Sequence, residues 1–242
     1  GINRMPKLPA QIVRLLNQEG VMGNGLSVIG THSIYAYEAA AGVMVGSNIV
    51  ATQDIDLMYR ANNSLKLSSA NVKNEGLIGL LQKVDKSFRV AKKGHFMAQN
   101  NKGFMVELIK PTPTPTQKIE SQAISSCEED LIAAELPGLR WLESAPSFKQ
   151  VVIASDGIPV ELIVPDPRYF ALNKLWVSQQ ADRDPVKKPR DNAQAKVVAS
   201  IASNYLGLEF KDEFLRVFPA SIRELVPELI MTEEDDLGVG FS

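Results

Sequence analysis

Apolar positions change their period several times along the chain, and each change predicts an element. In "LPAQIVRLLNQ" (8–18), Ile12, Leu15 and Leu16 recur at helical spacing behind Pro9, which predicts an N-terminal helix. "GLSVIG" (25–30) reads as a short apolar strand ending on glycine. "THSIYAYEAAAG" follows, rich in helix formers and closed by Gly42 at a C-cap position. Strand, glycine turn and helix in that order point backbone N–H groups and a positive helix end at one place. "ATQDIDLMYR" (51–60) then alternates as a strand does, with Ile55 and Leu57 on one face and Asp54 and Asp56 on the other. A helix is predicted around residues 77–84.

Turn residues mark two hairpins. "FRVAKKGHFMAQ-NNKG-FMVELIK" turns at 100–103, and "QVVIAS-DG-IPVELIVP" turns tightly at Asp156-Gly157. "PTPTPT" (111–116) between them predicts a stiff extended connector. From Asp166 the pattern becomes helical. Asp166 stands at an N-cap and Pro167 at the first helical position of "PDPRYFALNKLWVSQQ". "PRDNAQAKVVASIASNYL" spaces Ala193, Val197, Ile201 and Tyr205 as a helix does, and "DEFLRVFPASIREL" predicts a further helix bent or broken at Pro219. "TEEDD" (232–236) reads as a solvated tail, and residues 1–6 carry no pattern. The chain therefore divides into an N-terminal helix (1–20), an α/β core (21–165) and a C-terminal helical region (166–242).

Composition narrows the classes. The 242 residues are 45% hydrophobic and 22% charged, ordinary for a globular chain. A net charge of −2 argues against coating nucleic acid through bulk charge, leaving only local basic patches. The single cysteine, Cys127, excludes an intramolecular disulfide and fits a reducing cytoplasm. Two histidines, His32 and His95, are too few for most zinc sites, and both read as structural, His32 lying beside the glycine turn. The apolar run over 39–50 is broken by glycines, Ser47 and Asn48, so no membrane span is expected. Trp141 and Trp176 sit at helical apolar spacing and read as core.

The chemistry centres on Asp54 and Asp56. Carboxylates on one strand face repel each other unless a cation lies between them, and a hard divalent ion with oxygen ligands suits that place. "GFMVELIK" sets Glu107 between aliphatics on the face opposite Phe104, Val106 and Leu108, a position for a third carboxylate. Glu161 in the similar "PVELIV" competes, and spacing does not separate the two. Lys174, Arg183, Lys187, Lys188 and Arg190 gather where two predicted helices meet.

The glycine-threonine turn, the Asp-x-Asp strand and the later strand acid together resemble a nucleotidyltransferase of the DNA-polymerase-β-like superfamily. "GTHSIYAYEAAAG", "ATQDIDLMYR", "LPGLRWLESAP" and "PDPRYFALNKLWVSQQADRDPVKKPRDNAQA" are similar to a bacterial nucleotidyltransferase-like family, over residues 25–205. The helical tail also resembles that of abortive-infection nucleotidyltransferase toxins. The resemblance implies an α/β (α+β) nucleotidyltransferase fold, a mixed β-sheet flanked by helices and followed by a C-terminal helical region. It also implies that Gly30, Thr31 and Ser33 form the nucleotide turn and that Asp54, Asp56 and Glu107 hold Mg2+ or Mn2+. Lys174, Lys187, Arg190 and Asp191 would contact the nucleotide. The implied reaction moves an NMP from an NTP to a hydroxyl on an RNA or tRNA end or on a protein, and an antitoxin-like partner is implied as well. Thr31 is bulkier than the family's usual residue, the interval from Gly30 to Asp54 is longer, and the third acid is more often Asp.

Two rival readings compete with transfer. One is a catalytically inactive module of this fold that binds nucleotide or protein. The other is a metal-dependent nuclease using Asp54, Glu107 and Lys110. Lys110 falls three positions after Glu107, which puts it on the opposite strand face.

Overall fold

The computed structural model describes residues 2–60, 69–113, 124–230 and 239–241. Helix α1 (Lys7–Gln18) buries Ile12, Val13 and Leu16, the apolar stripe that predicts it. Strand β1 (Leu26–Ile29) is buried on both faces and leads through a 3-10 turn, Gly30–Ser33, into α2 (Ile34–Ala41). Gly42 ends α2 in the left-handed conformation, φ 69°, where a side chain is disfavoured. Strand β2 (Val43–Val45) and the single turn α3 (Ser47–Val50) precede β3 (Asp54–Tyr59), where Ile55 and Leu57 are fully buried. Helix α4 (Ala70–Val84) is broken at Gly76, so the helix expected over 77–84 is its second half. The buried Asp130 carboxylate caps that half, accepting the Ile78 N–H at 2.9 Å.

The remaining strands are β4 (Arg89–Val90), β5 (Met97–Gln99), β6 (Met105–Pro111) and β7 (Ala134–Leu136), followed by α5 (Leu139–Ser144). Both expected hairpins form, β5–β6 and β8 (Ser147–Ile153) with β9 (Pro159–Pro165). Helices α6 (Pro167–Gln179) and α7 (Lys188–Ser200) follow, α7 running on into a π-helical turn at Ile201–Tyr205. The apolar segment after it is interrupted around Pro219 into α8 (Asp212–Leu215) and α9 (Ala220–Arg223), then α10 (Val226–Ile230). Strand β10 (Val239–Phe241) pairs with β2. The Pro-Thr run over 111–116 lies partly, and the acidic run over 232–236 wholly, outside the described residues.

The main sheet has the order β1-β3-β6-β5-β4, and β7 also pairs with β6. It is mixed: β3 and β7 run parallel to β6, and the other pairs are antiparallel. Strand register assigns its two faces. Leu26, Val28, Ile55, Leu57, Val106, Leu108 and Ala98 share one face and are buried throughout. Ser27, Ile29, Asp54, Asp56, Met105, Glu107, Met97, Gln99 and Arg89 share the other. That second face is buried at β1 and open to solvent at Gln99 and Arg89. The carboxylates stand at the border between the two conditions. With helices on its flanks, this is the mixed α/β architecture expected.

Two packed N-terminal residues carry no sequence pattern. Met5 is fully buried and its N–H donates to the Ile153 carbonyl at 3.1 Å, while Asn3 Nδ2 donates to Glu38 and to the Val45 carbonyl. Trp141 and Trp176 meet edge-to-face at 5.0 Å against the core, as their spacing predicts. Among the described residues no helix is long and apolar enough to cross a membrane.

Asp166 is the expected N-cap of α6, accepting the Arg168 N–H at 2.9 Å, and it also pairs with the Arg168 guanidinium at 2.8 Å. Both side chains are almost wholly buried. Asp166→Ala removes the cap and leaves a buried cation unpaired, so it lowers stability by about 3–5 kcal/mol. Asp166→Asn keeps an acceptor for the cap and loses clearly less. Urea unfolding followed by circular dichroism measures both, and equal losses would refute the capping role.

Candidate active site

Register brings the three strand acids together. Asp56 lies opposite Glu107 on parallel β6 and opposite Ile29 on β1, and Asp54 lies opposite Met105. The chain then folds over Asp56 immediately after Ile29. Gly30 has φ +67°, and a Cβ there would stand 1.9 Å from Asp56 Oδ2. Only glycine satisfies both the backbone angle and the carboxylate resting on it. Thr52, two residues before Asp54, donates its hydroxyl to the Asp54 carboxylate.

The opposite wall comes from the helical region. Arg190 donates to the Thr31 hydroxyl at 2.8 Å, and Gln194 to the same oxygen at 3.1 Å and to the Ile49 carbonyl at 2.8 Å. These bonds hold the first turns of α7 against the Gly30–Ser33 turn. Asp191, almost fully buried, accepts Lys174 at 2.8 Å and Arg183 at 2.7 Å, fixing two cations from different segments. Lys187 and Arg190 have no carboxylate partner among the described residues. Thr31, the three strand acids, Lys174, Arg183, Lys187, Arg190 and Asp191 all line one cleft, with Ile109 and Leu136 as its apolar side.

Crowding and burial set the protonation of this cleft. Burial pushes the Asp56 carboxyl up to about 7, and the charges of Asp54 and Glu107 push the same way against Lys174 and Lys187. Burial also raises the Glu107 carboxyl, aided by Asp54 and opposed by Lys187 and Arg183. His32 sits beneath, fully enclosed. Burial lowers it to about 4 although the Asp54 charge opposes this, so the imidazole is neutral near pH 7.

The cleft gathers Thr31, Asp54, Asp56, Glu107, Lys174, Lys187, Arg190 and Asp191, with Gly30 directly under Asp56. Ser33 is not brought there. It is fully buried and its hydroxyl faces the Val28 carbonyl, because a 3-10 turn with three residues per turn rotates it away from Thr31. Glu161 is exposed on the separate β8–β9 hairpin, opposite Val151, while Glu107 stands in the cleft. Lys110 is buried on the other sheet face and paired with Glu135 at 3.3 Å, away from the acids. Thr52 and Gln194 carry no local sequence signal, since their roles depend on contacts made only in the fold. Among the described residues no three His, Cys, Asp or Glu side chains form a ready-made metal cage.

A protein-family profile described as Nucleotidyltransferase matches residues 8–218. A crystal structure of an antigenic nucleotidyltransferase-like protein from Paracoccidioides brasiliensis aligns with 94% of this chain and 94% of its own, at 14% identity and a TM-score of 0.40. A search of curated proteins finds no match.

The Asp56 shift has a measurable consequence. An acid with a raised pKa binds its proton more tightly in the folded than in the unfolded chain. Its contribution to stability is therefore largest below its ordinary value of 3.8 and is lost as pH rises through 7. Asp56→Asn removes this penalty and makes the protein without added metal more stable at pH 8 by up to about 4 kcal/mol, a gain that closes as pH falls to about 4. Thermal unfolding across that pH range tests the sign. A variant less stable than wild type at pH 8 would refute it.

Proposed function

The chain belongs to a nucleotidyltransferase family, and we propose that it transfers a nucleoside monophosphate from an NTP to a hydroxyl acceptor, releasing pyrophosphate, with Mg2+ or Mn2+ bound. One observation carries the reading. Among the described residues Asp54, Asp56 and Glu107 have no cation, and Lys187 and Arg190 no carboxylate, within ion-pair distance, and all five face one cleft. A divalent cation with a polyphosphate completes both sets, cation on the strand acids and phosphate on the helix cations.

The acids fit such an ion. Magnesium commonly takes one or two carboxylates and fills its remaining positions with water and phosphate oxygens, so an open set of acids suits it better than a closed cage. The Asp56 carboxyl is raised first by burial and then by the charges of Asp54 and Glu107, and a cation beside it offsets both. When bound, the metal supplies charge neutralisation at the phosphate oxygens and acidifies the acceptor hydroxyl.

The chain's own residues do the rest. Lys187 and Arg190 hold the phosphates, and Lys174, steadied by Asp191, adds positive charge where pyrophosphate leaves. The acceptor oxygen attacks the α-phosphorus as the bond to the β-phosphate oxygen breaks in line. Glu107, raised above its ordinary value by burial, takes the hydroxyl proton.

Incubation with each α-labelled NTP, magnesium and total cellular RNA tests this proposal. Label moves onto an acceptor with wild-type protein, and Asp54→Ala/Asp56→Ala lowers transfer by about 10³-fold. Lys187→Ala weakens NTP binding about tenfold by calorimetry. Intact NTP binding without transfer under any condition would instead identify a binding module.

A further inference from the structure

Residues 83–103 hold six basic side chains and one acid, a segment of +5 in a chain of net charge −2. They include the edge strand β4 and all of β5, on the open side of the sheet beside the cleft. Lys83 pairs with Glu75 and Lys93 with Glu128. Lys86, Arg89, Lys92 and Lys102 are exposed and have no carboxylate within ion-pair distance among the described residues.

The one acid is held in hydrogen bonds to its neighbours, which lower its carboxyl together with the nearby Lys102 charge. Asp85 accepts the Ser87 N–H at 2.9 Å, the Ser87 hydroxyl at 2.7 Å and Asn100 Nδ2 at 3.0 Å. Buried Asn100 in turn accepts the N–H groups of Lys102 and Phe104, and the Asn101 N–H donates to Ser87 Oγ. This network pins two turns together, and those turns carry Lys86 and Lys102. Unpaired lysines held near each other repel, and a polyanion reverses that cost.

Register connects this charge to the acids. Asp54, Met105, Gln99 and Arg89 are successive cross-strand neighbours on one face. With strands about 4.8 Å apart, Arg89 lies about 14 Å across an open face from Asp54. Lys86 and Lys102 flank the row at one end, and Lys92 sits in the turn between β4 and β5. None of the large exposed hydrophobic residues falls within 83–103, which disfavours a lipid surface.

We propose that this basic edge binds a single-stranded nucleic acid whose terminal hydroxyl reaches the strand acids, making a nucleic-acid end the acceptor. The assignment rests on the cleft being the transfer site. Phosphates meet Lys86, Arg89, Lys92 and Lys102, and the chain end lies along the row toward Glu107.

The test is fluorescence anisotropy with labelled 12-nucleotide RNA and DNA of one sequence, titrated at several salt concentrations. The wild type binds at least one of them. Lys86→Glu/Lys102→Glu weakens that binding about tenfold or more and makes the log K against log salt slope shallower by about 1.4. Lys7→Glu/Lys149→Glu, the same change in charge elsewhere on the surface, leaves binding unchanged, and circular dichroism confirms that both variants fold. The two oligonucleotides distinguish RNA from DNA. Equal weakening by both double variants, or no binding by wild type, overturns the proposal. NTP calorimetry on the same samples keeps the two readings separate, since loss of NTP binding with hairpin-dependent oligonucleotide binding intact refutes the transfer reading alone.

Discussion

The Thr31 hydroxyl takes bonds across the two halves of the site. Thr31 Oγ1 accepts Arg190 and Gln194, residues 159 and 163 positions further along the chain. One of these bonds is charge-assisted, and Gln194 adds a bond to the Ile49 carbonyl. Together they hold α7 against the turn that follows β1. Everything else in the cleft depends on that docking: the acids belong to the sheet and the cations to the helices, and only with α7 in place do they share one space. The buried Lys174–Asp191–Arg183 bridge then spans α6, the connecting loop and α7, setting the cations within the assembled wall.

Beneath this lies a steric constraint. Asp56 rests where the Cβ of residue 30 would be, so strand register and turn conformation are mutually dependent. The same placement removes Asp56 from water and crowds it against two other acids. Such a carboxylate detracts from the stability of the fold, and strongly shifted carboxyls of this kind cluster at functional sites.

Much of the strand side was legible from the sequence because alternation is a local property. Asp54 and Asp56 opposite Ile55 and Leu57, and Glu107 between aliphatics, follow from the period of two. Glu107 and Glu161 were not separable, since "VELI" occurs in both segments and only strand pairing shows that β9 stands outside the main sheet. Ser33, implied by the resemblance, stands two along from Thr31, and the 3-10 turn carries its hydroxyl onto the Val28 carbonyl instead of into the cleft. Gln194 and Thr52 had no signal because their partners are set by tertiary docking. The packed N-terminal residues had none either, since Asn3 and Met5 are held by hydrogen bonds to distant segments rather than by a periodic face.

Strand β6 has a divided edge. Its first half, Met105–Glu107, pairs with β5, and its second half, Ile109–Pro111, pairs with β7. The carboxylate thus belongs to one neighbour and the apolar side of the cleft, Ile109 with Leu136, to another. Replacements at Ile109 or Leu136 fall on the second half, and Glu107 lies in the first. The chain has in effect a fixed jaw and an exchangeable one on the same strand. A change at Leu136 reshapes the apolar side while Glu107 keeps its register opposite Asp56.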